Sequence, residues 1–228
     1  MSRSATRPSL APLAVVLAAA GLLAGCTGSP EPAPTTSAPT SSATPTPSAS
    51  PTTKPVPATL VATATEITVL DASGRTLLLL EYTDDADAAV ADLTDLLGYT
   101  AIRTDVTDTG GGCSLDQSFY DFHGFSLEVP GGVTSQPGST FAVELSATSA
   151  EGVRLETVDG QQVGVLVNDF LAAVPGSVLN GDYGGRQLVG FDVIDPSVEA
   201  YEQIGALAHG EDGVVTRFSM PYYVSGDC

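Results

Sequence analysis

The chain has 228 residues, with 8 basic against 27 acidic side chains and a net charge of −19 at pH 7. Phosphate backbones and anionic lipid headgroups need basic partners, so this balance disfavours a nucleic-acid binder and a domain lying flat on an anionic membrane. It suits a self-repelling, soluble domain. Calcium would also use acids, but no Asp-x-Asp-x-Asp-Gly loop is present.

The first 25 residues carry Arg3 and Arg7, no acid, and an apolar run from Leu13 to Ala24. A spanning helix needs about 20 apolar residues, and Pro8 and Pro12 break the segment ahead of this shorter run. The pattern predicts an export signal over residues 1–25. Small residues then lead into a cysteine, Leu23-Ala24-Gly25-Cys26. These four positions resemble the lipobox of bacterial lipoproteins. The resemblance implies cleavage before Cys26 and a lipid on its thiol, with the membrane as the first partner and the protein held on its extracytoplasmic face. Two acyl chains anchor stably where one holds only marginally.

Residues 26–58 are almost wholly Pro, Ser, Thr and Ala, with too little apolar surface to fold. They read as a semi-stiff tether. A single acidic domain is expected over 59–228. Export implies an oxidising compartment, so Cys113 and Cys228 are expected as a disulfide; two free thiols are the competing reading. Closing so long a loop could contribute about 4–5 kcal/mol on the chain-entropy account.

Within the domain, Leu60 to Leu70 reads as one strand, since Ile67 and Val69 alternate with polar neighbours. Asp71-Ala72-Ser73-Gly74 is a turn, and Thr76 to Tyr82 is a second strand completing a hairpin. Ala86, Val90, Leu93 and Leu97 recur at helical spacing, with Thr83 or Asp84 as the cap and Gly98 at the stop. Helix is therefore expected over 85–97, with Asp87, Asp92 and Asp95 in water. Strand is expected over Tyr99–Val106. The aromatic stretch Ser118–Val129 is expected as strand too, with Gly124 as turn or bulge.

Phe141–Ala147, Val153–Val158 and Val163–Val165 follow as strands. Asn168 caps a brief helix, Asp169–Val174, ended by Pro175-Gly176. Gln187–Ile194 is a strand, Ser197–Gln203 is ambiguous, and Ile204–Ala208 with Val214–Ser219 forms a hairpin. The fold class is thus α+β, mainly antiparallel sheet with one clear and one short helix. The order of strands, helix and strands appears twice and suggests two similar halves. Gly164-Val165-Leu166-Val167-Asn168-Asp169-Phe170-Leu171 resembles a stretch of small envelope lipoproteins of beta-lactamase-inhibitor-like fold. That resemblance implies helix-plus-sheet units that bind partner proteins.

The chemical motifs are sparse. His123 and His209 are the two bases near neutral pH. No Gly-x-Ser-x-Gly elbow, His-x-x-x-His zinc spacing or phosphate loop accompanies them, so no cofactor, metal or catalytic residue is assigned. Phe119, Tyr120, Phe122, His123, Tyr222 and Tyr223 are the candidate binding surface for an envelope protein or a glycan. Core filling is the plainer account of the same aromatics. A binding module is the expected function, and a hydrolase with paired carboxylates is the alternative.

Overall fold

The protein is described by a computed structural model covering residues 54–107, 116–131, 138–198 and 203–223. Cys26, Cys113 and Cys228, and hence the lipid and disulfide expectations, lie outside the described residues. The chain begins with β1 (Pro57–Ala62), β2 (Glu66–Asp71) and β3 (Thr76–Glu81), then α1 (Ala86–Leu97). A run of four strands follows: β4 (Ile102–Val106), β5 (Gln117–Asp121), β6 (Phe125–Pro130) and β7 (Ala142–Leu145). Next come β8 (Ser149–Ala150), β9 (Val153–Thr157) and α2 (Val167–Ala173). A last run closes the domain: β10 (Val178–Tyr183), β11 (Arg186–Phe191), β12 (Ile204–Glu211) and β13 (Val214–Tyr223).

These strands form two sheets. The smaller has the order β3-β2-β1-β9-β8, and the larger β10-β11-β12-β13-β7-β6-β5-β4. All pairings are antiparallel except β1 with β9, where Leu60 lies beside Leu155. The expected sheet-rich α+β class is what the molecule shows. Leu60, Ile67 and Leu155 of the smaller sheet meet Phe125, Leu127, Val143, Phe191 and Phe218 of the larger in one core. Leu93 of α1 and Phe170 of α2 close it.

Helix α1 begins where Asp85 accepts the Ala88 N–H, so Asp85 is the cap in place of Thr83 or Asp84. Gly98, left-handed at φ 79, ends it by donating its N–H to Thr94 O. Asp87, Asp92 and Asp95 face water as expected. The Lys54 ammonium donates to Asp95 O in the last turn, where a cation complements the helix dipole.

Three local expectations are corrected. The single strand over Leu60–Leu70 is two strands, because Thr63 Oγ1 accepts the N–H groups of Thr65 and Glu66 and turns the chain. Val163–Val165 is not a strand. Gly164 turns the chain at φ 95 while Gly164 N and Val165 O bond Val215. Helix α2 starts at Val167, ahead of Asn168. Its entry is fixed by Val167 N–H donating to Gly213 O and by the bridge from Leu166 to Val214. Strands β8 and β10 were not expected at all; β10 hides behind Asn180-Gly181-Asp182, where the ladder slips a residue.

Candidate functional site: the outer face of the larger sheet

Alternation along the strands decides which side chains leave the core. Phe218, Val143, Leu127 and Ala208 are core residues. Arg217 and Ser219, Glu144, Glu128 and His209 therefore project from the opposite, outer face. Tyr120 packs against the core, which places its neighbour Phe119 on the outer face, directly across from Glu128. Between the pairs Leu207–Ser219 and Gly205–Tyr222, β13 carries one more residue than β12. This bulge turns Tyr222 outward, where its phenol interacts with Glu128, Arg217 and Glu144.

The candidate aromatic surface is therefore split. Phe119 and Tyr222 share the outer face. Tyr120 sits on the inner side under the Arg103 guanidinium, 5.5 Å from its ring centroid. Phe122 is fully buried and stacked on Phe125 at 4.9 Å, so it is core and not surface. His123 occupies the β5–β6 turn at φ 62, stacked on Tyr99 and 3.1 Å from Glu151 Oε1. Tyr223 lies in β13, in register with Ile204.

The outer face is built around a chain of polar contacts that composition did not reveal. Arg217 Nη1 lies 3.3 Å from Glu144 Oε2, and Arg217 Nη2 lies 3.4 Å from His209 Nδ1. His209 Nε2 is 3.1 Å from Ser219 Oγ. Gln117 Nε2 donates to Glu128 Oε1. The side chains of Arg217 and Glu144 keep 47% and 34% of their surface in solvent. Burial pushes the Glu128 and Glu144 carboxyls up; Glu144 adds to the effect on Glu128, and Arg217 opposes it at both. Burial lowers His209 to about 4, helped by the Arg217 charge, so the ring is neutral at pH 7.

The polarity of this chain fixes its chemistry. A guanidinium can only donate, so His209 Nδ1 accepts and the proton sits on Nε2. That proton then points at Ser219 Oγ. In a Ser–His–acid triad the order is reversed: the acid accepts from Nδ1–H, and Nε2 receives the serine proton. Here Arg217 stands where the acid would stand, and His209 cannot take a proton from Ser219. The contacts instead lock four side chains into a rigid polar ridge beside Phe119 and Tyr222.

The hairpin register that brings Arg217 opposite His209 is the one signal in the sequence that could have located the ridge. Among the described residues, no three His, Cys, Asp or Glu side chains gather to hold a metal, and no helix is long and apolar enough to cross a membrane. No protein family, curated protein or solved structure matches this chain.

Proposed function

We propose that the protein is a lipid-anchored envelope lipoprotein whose domain is a non-catalytic interaction module. Its partner is a protein docked on the outer face of the larger sheet. The anchor reading rests on Leu23-Ala24-Gly25-Cys26 behind a basic, acid-free start, and the Pro/Ser/Thr tether suits reach. The observation that carries the binding reading is the preorganised ridge Glu144–Arg217–His209–Ser219 flanked by Phe119 and Tyr222. Arginine and tyrosine dominate binding energy at interfaces, and side chains held before contact lose less entropy on docking. The palindromic strand order around the β13–β7 pair supports two similar halves. That arrangement agrees with the resemblance to beta-lactamase-inhibitor-like units.

The test is a photo-crosslinking residue placed at Phe119 in intact cells. A discrete partner should be captured, and Tyr222→Ala with Arg217→Ala should abolish the capture. Capture that persists in that double variant would remove the outer face from the proposal. Secretion of an unlabelled protein after feeding a palmitate analogue would remove the anchor.

One observation favours a hydrolase as a second reading. Glu128 and Glu144 lie on adjacent strands, with Glu128 opposite Ala142 and Glu144 opposite Ser126, so they are diagonal neighbours. Burial raises Glu128, as the acid of a glycoside-hydrolysing pair requires, and Glu144 would have to stay ionised as the second carboxylate. The ion pair to Arg217 ties Glu144 to a structural role. Glycan cleavage that is lost in Glu128→Gln would reverse this order of preference.

A further inference from the structure

One end of the domain opens as a cleft of about 390 Å³. The β1–β2 turn and the end of β3 form one wall; Ile194, the start of β12 and Pro221 of β13 form the other. We propose that this cleft binds a small organic cation, an ammonium or guanidinium group carried on a short apolar body.

The size is the first argument, because clefts of roughly 300 Å³ and above hold small ligands that bury most of their surface. The floor is apolar. Ala64 and Pro221 are buried, Ile204 is half-buried, and Ile194 leaves 53% of its surface in water. An apolar body laid over Ile194 would remove that exposure from solvent.

The rim supplies the charge. Glu66 and Glu81 both line the cleft and are direct partners across the β2–β3 ladder. Like charges directly opposite on a sheet are destabilising, yet neither carboxylate makes an ion pair among the described residues. Each is bonded by one threonine hydroxyl at 3.4 Å, Thr68 for Glu66 and Thr83 for Glu81. Among the described residues, no lysine, arginine or histidine lines the cleft. A cation seated between the two carboxylates would relieve their repulsion while its body covers Ile194. The field of a chain with net charge −19 would draw such a ligand in and repel anions. The cleft shares no named residue with the polar ridge of the outer face, so this inference stands apart from the interaction proposed there.

The test uses the full chain, isotope-labelled, titrated with n-hexylammonium and followed by amide shifts. Shifts are expected at Ala64, Thr65, Glu66 and Thr83, with n-hexanol binding more weakly and hexanoate not at all. Glu66→Gln with Glu81→Gln should weaken n-hexylammonium about tenfold, the combined effect of two screened charge contacts. Added salt should act in the same direction. Ile194→Ser should weaken n-hexylammonium but leave methylammonium unchanged, which separates the apolar floor from the charged rim.

A blocked lysine amide serves as a second probe. If it moves the same amides at lower concentration than n-hexylammonium, the natural cation is a side chain on a protein; if at higher concentration, it is a free amine. Both results support the proposal. It is overturned if n-hexanol binds as tightly as n-hexylammonium. Unchanged affinity in a folded Glu66→Gln/Glu81→Gln variant would overturn it too, as would a titration that moves none of the cleft amides.

Discussion

The carboxylate of Asp192 accepts the backbone N–H of Ala64 at 2.7 Å, joining residues 128 apart in sequence. Asp192 follows β11 in the larger sheet, and Ala64 lies in the β1–β2 turn of the smaller. Ala64 is 3% exposed, so without Asp192 its N–H would lose both partner and water. Asp192 also holds a left-handed backbone, φ 48, which Asp and Asn tolerate better than Ala. Asp192→Ala should therefore cost about 2–3 kcal/mol, while Asp192→Asn, which keeps an acceptor, should cost under about 1 kcal/mol. Urea unfolding of the two variants decides this; a loss below about 0.5 kcal/mol in Asp192→Ala would mean the bond contributes nothing.

His209 gives a pH dependence with a definite sign. Its folded value of about 4 lies below its ordinary 6.5. Protonation is thus harder in the folded state, and the contribution to stability is complete above pH 6.5. It is lost as pH falls towards 4, by on the order of 2–3 kcal/mol. His209→Asn should flatten this part of the stability profile. Nitrogen shifts at pH 7 should show the Nε2–H tautomer. A ring titrating near 6.5, or protonated on Nδ1, would dissolve the ridge as described.

Glu128 runs the other way. Burial raises its carboxyl, so ionisation is penalised in the folded state and the penalty vanishes below the unfolded value. Glu128→Gln keeps an acceptor for Gln117 and removes the charge. It should stabilise the protein by about 0.5–1 kcal/mol at pH 7 and change little at pH 4. A destabilised variant at pH 7 would show that the charge itself is needed on this face.

Gly124 accepts no side chain. A Cβ there would lie 2.7 Å from Ser149 O and 3.2 Å from Ala147 Cβ, and its carbonyl already accepts the N–H groups of Ser146 and Ala147. Gly124→Ala must push the β5–β6 turn away from β8 and the loop ahead of it, at about 2–3 kcal/mol. Thermal unfolding within about 1 °C of the parent would contradict the close approach.

The strongly periodic part of the domain was legible. Helix α1 combined apolar spacing with a stopping glycine, both local signals, while its cap fell on Asp85 instead of Thr83 or Asp84. The β1–β2 turn was not legible because its agent, Thr63, is also a good strand former, so propensity and turn chemistry pointed in opposite directions. Helix α2 was misplaced by one to two residues because the β12–β13 hairpin, some 45 residues further on, fixes its first turn. The outer face was half visible. Clustered aromatics drew attention to Phe119 and Tyr120, but strand alternation sends them to opposite faces. Tyr222 reaches Phe119's side only through a bulge, which composition cannot signal.

The pairing of β13 with β7 has a kinetic meaning. The larger sheet is joined at its middle by the last strand described, with Phe218 beside Leu145 and Met220 beside Val143. The smaller sheet is joined by β1 and β9, about 95 residues apart. Neither run of four strands can find its neighbour until β13 is available. Loop closure must precede the contacts that reward it, so folding belongs to the slow, high-contact-order regime. An emerging chain would present the unpaired edge of β7 to its surroundings throughout that wait, and repulsion between chains of net charge −19 opposes the pairing of such edges.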